Sequence, residues 1–128
     1  MDWLNNNAML LAQKSLDVSW AKQKLALDNI ANVDTPGYKA KYALFEDELK
    51  QRLYGLDRKG SAREIRQAIK DARMEIRQRE DESIRMDGNN VNMDVEELEV
   101  SRNTLQYEFA LRHISDQLSR LRLAIEGR

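Results

Sequence analysis

The chain has 128 residues, no cysteine, 21 basic and 22 acidic side chains, and a formal charge of -1; 41% of it is apolar and 34% charged. That length is one domain's worth. The charge balance gives no global pull toward nucleic acid or anionic lipid, and the missing thiols exclude disulfides, thiolate catalysis and cysteine-ligated zinc.

The N-terminus lacks a basic n-region and its longest apolar run spans only Ala8 to Leu11, so no cleavable secretory signal is expected. No stretch approaches the roughly 20 apolar residues needed to cross a bilayer. Residues 1–33 contain neither Gly nor Pro and are rich in Ala, Leu, Gln and Lys, which predicts one long helix. Leu4, Leu11, Val18 and Leu25 form one apolar stripe, and Met9, Leu16, Trp20, Leu27 and Ile30 form a second. A helix apolar on two sides needs partners on two sides.

Residues 34–93 form a middle segment of different composition, and between Glu46 and Asp87 more than half the residues are charged. Ser61 and Glu64 have the spacing of a capping box and predict a helix onset. That helix is expected to carry an apolar edge of Ile65, Ile69, Ala72 and Ile76 beside a basic stripe of Arg66, Lys70, Arg73 and Arg77. Residues 84–93 read as a short extended or hairpin element around Asp87 and Gly88, with Gly55 and Gly60 marking loops.

Residues 94–128 predict a second long helix. Val100, Thr104, Tyr107, Leu111, Ile114, Leu118, Leu121 and Ile125 alternate steps of four and three, the spacing of a coiled-coil seam, widened by Leu98, Leu105 and Phe109. Asp94 is the expected N-cap, with Glu97 three residues on and Met93 and Leu98 as a staple. The fold class expected is therefore mainly α: two long terminal helices paired as an antiparallel coiled coil, with a charged insert between them.

The one proline lies in "NIANVDTPGYK", residues 29–39. Thr35, Pro36, Gly37 and Tyr38 fit a type II turn, with Gly37 at the position that demands positive φ. Asn32 is expected to close the helix in the left-handed conformation. Asn29 falls where the Leu4 stripe would next place a leucine, and a buried Asn there would fix register at some cost in stability.

This stretch resembles the motif that ends the N-terminal helix of bacterial flagellar axial proteins, matched at Asn29, Ala31, Asn32, Thr35, Pro36, Gly37 and Tyr38. The last 42 residues, from "DGNNVNMDVEEL" onward, are similar to the closing segment of the flagellar basal-body rod family, and in particular its proximal rod subunits, at Gly88 to Val91, Asn103 and Tyr107. The Arg-rich middle departs from that family's usual pattern. The resemblance implies a structural, self-assembling rod subunit whose terminal helices, through Leu4, Leu11, Val18, Leu25 and the C-terminal seam, pack into a tube. It implies as partners copies of itself, other rod subunits, the basal membrane-ring and adaptor proteins, and the type III export apparatus. It places the chain in the basal body without a cleaved signal. Phe45 and Leu49 resemble the export signal of early flagellar substrates, and equally fit one apolar face of a short helix. The basic stripe is expected to meet an acidic neighbouring subunit.

No enzyme signature competes. His113 is the only histidine and has no cysteine to partner it, the acidic runs at 46–48 and 80–82 read as solvated faces, and no phosphate-loop, dinucleotide or zinc-protease motif is present. No cofactor or metal is expected. Nucleic-acid binding is disfavoured by Glu64, Asp71 and Glu75 among the basic residues. A soluble coiled-coil adaptor is the alternative.

Overall fold

The computed structural model describes residues 7–56, 60–81, 83 and 85–127. Its elements in chain order are α1 (Asn7–Ala31), β1 (Lys41–Leu44), α2 (Glu46–Tyr54), α3 (Ala62–Asp71), β2 (Glu75–Gln78) and α4 (Met93–Glu126). At about 1.5 Å per residue, α1 and α4 are roughly 38 and 51 Å long. They pack on each other in antiparallel fashion: Asn29 near the end of α1 bonds Glu96 near the start of α4, while Ala12 shares a groove with Ala110 and His113. The long-helix pair expected from the sequence is the frame of the molecule. Leu4 lies outside the described residues.

Small side chains set the closeness of that pair. Ala12, Ser19 and Ala26 are buried on α1 at heptad spacing, and Glu96, Asn103 and Ala110 are buried on α4 at the same spacing. The α4 line facing α1 therefore runs Glu96, Val100, Asn103, Tyr107, Ala110, Ile114. This rotates the expected seam by about half a residue: Val100, Tyr107 and Ile114 stay in it, and Asn103 and Ala110 take the places of Thr104 and Leu111. Val100, Tyr107, Ile114 and Leu121 stay partly covered, whereas Leu111, Leu118 and Ile125 are exposed. On α1, Val18 is buried, Leu25 half-buried and Leu11 at the edge of exposure.

The insert docks on one side of the pair. Its apolar core is small: Val18, Phe45 and Ala72 cluster, with Leu49 packed against them. Polar ties add to it. Lys22 pairs with Glu46 at 2.6 Å, and the Asn7 amide donates to the Ala62 carbonyl.

The capping box of α3 forms as expected, with Ser61 and Glu64 bonded reciprocally. The helix then stops at Asp71, five residues short of the expected edge at Ile76. Lys14 of α1 donates to the carbonyls of Lys70 and Ala72, satisfying helix-end acceptors that another turn would have used. Ala72 turns extended, and residues 75–78 pair with β1 in antiparallel register, Ala43 opposite Ile76 and Tyr42 opposite Arg77. The expected one-residue-per-turn basic stripe is thus broken: Arg66 and Lys70 are on α3, Arg73 lies beyond it and Arg77 is in β2. Of the extended or hairpin element expected at 84–93, the turn at Asp87 and Gly88 forms but its strands do not. Among its described residues none is strand, and the ladder is made by 41–44 and 75–78 instead.

Two cap assignments change as well. Asn92 rather than Asp94 caps α4, its Oδ1 accepting from the amides of Asp94 and Val95. Asn32 does not enter the left-handed region, since no described non-glycine residue has positive φ. Its side chain instead donates back to the Asp28 carbonyl at 2.8 Å.

Candidate assembly interface

The site begins with an asparagine-built junction between the turn at 32–38 and the segment 87–92. Gly37 has φ +72° and Tyr38 N–H donates to the Thr35 carbonyl, which is the type II turn. Gly88 has φ +77°, and a Cβ on it would sit 3.7 Å from Gly37 Cα. The two turns therefore meet glycine to glycine, and Gly37 N–H bonds the Asp87 carbonyl at 2.8 Å. Asn89 reaches across, its amide donating to the carbonyls of Asn32 at 2.8 Å and Thr35 at 2.9 Å. Asn90 accepts from Ala40 N–H at 2.7 Å.

Asn29 is 1% exposed and all its amide positions are used. Its Oδ1 accepts from Lys41 N–H and the Tyr38 hydroxyl, and its Nδ2 donates to the Lys41 carbonyl and Glu96 Oε2. The other oxygen of Glu96 lies 3.4 Å from Arg79. Burial raises the Tyr38 pKa, helped by the negative charges of Asp28 and Glu96. Among the described residues asparagines, not leucines, are the largest fully buried side chains: Asn29, Asn89 and Asn103. What this junction does is fix where the insert leaves α1 and where α4 begins.

The second part of the site is the apolar surface left over. α1 rises as α4 descends, so a forward step of about 100° along either right-handed helix turns toward the same side of the pair. The insert marks the other side, where grooves are lined by Leu11, Val18 and Leu25 of α1 and by Arg102, Gln106 and His113 of α4. Trp20 and Leu27 of α1 and Leu111 and Leu118 of α4 therefore share the insert-free side. Trp20 is 64% and Leu118 50% exposed. Because Ala12 lies level with Ala110 and Asn29 bonds Glu96, Trp20 and Leu27 sit at a different height along the pair from Leu111 and Leu118, so that side carries two separate apolar patches. An exposed apolar surface of this kind on a small chain marks an interaction site.

No family model matches the chain. Among curated proteins it is 33% identical over 107 residues to the flagellar basal body rod protein FlgB of Bacillus subtilis (strain 168), spanning 83% of each chain. It is 30% identical over 129 residues to FlgB of Salmonella typhimurium, spanning 94% of each. FlgB of Cereibacter sphaeroides is 37% identical over 107 residues, covering 83% of this chain and 84% of that one. The chain belongs to the FlgB family of flagellar basal body rod proteins.

In this FlgB-family chain the motif residues Asn29, Asn32, Thr35, Pro36, Gly37 and Tyr38 form the junction, and Ala31 is the last residue of α1. Lys41, Glu96, Arg79 and the Asn89–Asn90 pair complete it, and the motif alone did not point to them. A sequence signal existed for two: the "GNNV" stretch is as asparagine-rich as the first motif. Phe45, the N-terminal flank of α2, is 4% exposed and Leu49 packs beside it. Arg77 pairs with Glu75 at 2.8 Å within its own strand, and Arg73 N–H bonds Glu48 at 3.2 Å.

Proposed function

We propose that this chain is a structural subunit of the flagellar basal-body rod, of the proximal kind, joined to its neighbours through the terminal helices. The observation that carries the reading is the uncovered apolar surface on both long helices of a family member whose insert covers only one side. A buried Leu or Trp is worth about 1.5–3 kcal/mol relative to an exposed one, so several per subunit offset the ordering cost of association.

Its partners in this reading are copies of itself, other rod subunits, and the membrane-ring and adaptor proteins at the rod base. The chain performs no catalysis and uses no cofactor. It travels unfolded through the flagellar export apparatus, with Phe45 to Leu49 as the signal. Phe45 is buried once folded, so the signal is legible only before the core forms.

The test is genetic and biochemical. Deleting the chain from its flagellated host should abolish swimming, and basal bodies purified from the restored strain should contain it. A deletion strain that swims normally overturns the reading.

A further inference from the structure

The two edges of the small sheet differ. Arg79 N–H donates to the Ala40 carbonyl, so Ala40 and Arg79 form a hydrogen-bonded pair at the end of the ladder. Such pairs alternate with non-bonded ones in an antiparallel ladder. Along the register, Tyr42–Arg77 and Leu44–Glu75 are therefore bonded pairs, while Lys41–Gln78 and Ala43–Ile76 are not. The main-chain groups of Lys41 point away from β2, and Asn29 holds both of them. Those of Ile76 and Gln78 point the other way, along the outer edge of β2. All four residues of β2 are exposed, Ile76 by 53%. An open edge of this kind is a template for another strand.

We propose that the outer edge of β2 pairs in antiparallel fashion with β2 of a second copy, about a two-fold axis at Ile76. Charge selects both the occupant and the register. Outward-facing residues must meet outward-facing residues, which leaves axes at Glu75, Ile76 or Arg77 near the middle of the strand. An axis at Glu75 sets that carboxylate against its own copy, and an axis at Arg77 does the same to the guanidinium. At Ile76 each Glu75 faces Arg77 of the other copy, twice over. Opposite charges directly across a ladder stabilise it and like charges destabilise it.

Glu75 and Arg77 already pair at 2.8 Å within the strand, so each edge arrives with its charge balanced. On the opposite face the two exposed Ile76 side chains cover each other. A two-fold contact uses the same patch on both copies and stops at two. It therefore joins two unassembled chains, does not extend a tube, and does not rest on the rod-subunit reading.

Cysteine cross-linking of the full chain tests the register, because the sequence has no cysteine of its own. Ile76→Cys places two sulfurs across the axis on Cα atoms about 5.5 Å apart, within disulfide reach. Gln78→Cys is the control, since its copy lies about four residues, roughly 13 Å, along the ladder. Under mild oxidation Ile76→Cys should form a covalent dimer and Gln78→Cys should not. Adding either Glu75→Arg or Arg77→Glu to Ile76→Cys should slow the cross-link roughly tenfold. An equal mixture of those two double variants should recover the rate, because every charge again faces its opposite. Recovery on mixing also separates a lost contact from a lost fold.

An Ile76→Cys chain that stays monomeric, a Gln78→Cys chain that cross-links equally fast, or a mixture no faster than its components overturns the proposal. None of these outcomes bears on the rod-subunit reading.

Discussion

Asn29 grips both backbone groups of Lys41, accepting from its N–H at 2.9 Å and donating to its carbonyl at 2.8 Å. One side chain thus does what a neighbouring strand would do, holding β1 against the last turns of α1. The same amide bonds Glu96, so the end of α1, the first strand and the start of α4 are fixed by a single residue.

Replacing Asn29 with Leu should therefore cost more than its hydrogen bonds are worth net. It leaves the buried Glu96 carboxylate and the part-buried Lys41 N–H and Tyr38 hydroxyl with fewer partners, and buried polar groups left unpaired cost about 1–3 kcal/mol each. A loss of about 3 kcal/mol is expected, read as a lower urea midpoint with unchanged slope.

The two turns predict a contrast among glycines. Gly37→Ala and Gly88→Ala each place a side chain at positive φ and should destabilise by about 1–2 kcal/mol. Gly55→Ala should be neutral or mildly stabilising, because Gly55 is already right-handed, with φ -71°, and its added Cβ would meet only ordinary contacts at 3.5 Å. Thermal melts of the three variants check the order.

Tyr38 predicts an alkaline weakening. Its raised pKa, caused first by burial and then by Asp28 and Glu96, means that the folded chain keeps a proton the unfolded chain has already released. Above about pH 10 the unfolded state binds fewer protons, so stability falls as pH rises, and below that range the contribution is fully present. Urea midpoints measured from pH 8 to 11 should decline, and Tyr38→Phe should remove that part of the slope. An unchanged slope in Tyr38→Phe would assign the decline elsewhere.

The long helices were legible because periodicity over many turns leaves little choice. Their mutual rotation was not. α4 carries apolar residues at two adjacent phases, and hydrophobicity alone favours the more apolar one, through Leu111 and Leu118, as the seam. The smaller phase won: Asn103 and Ala110 oppose Ala12, Ser19 and Ala26 because small side chains let two helices approach, and Leu111 and Leu118 stay exposed. The heptad of small residues on α1 was the available signal. The switch at Asp71 was hidden for a different reason. Lys14, 56 residues away, ends α3, and nothing local to Ile76 separates one more helical turn from a four-residue strand. The turn motif showed where the chain bends, but its use of Lys41 and Glu96 depended on tertiary contacts.

The account's central claim is that like subunits cover the apolar side of the helix pair. The chain has no cysteine, so Leu118→Cys gives a single reporter on that side, with Lys50→Cys, exposed on α2, as its control. Maleimide labelling of the free chain and of rods in purified basal bodies measures the cover directly. The expected result is rapid labelling of both cysteines in the free chain, with Leu118→Cys protected and Lys50→Cys still reactive in the rod. Equal labelling of Leu118→Cys in the free chain and in the rod would contradict the account.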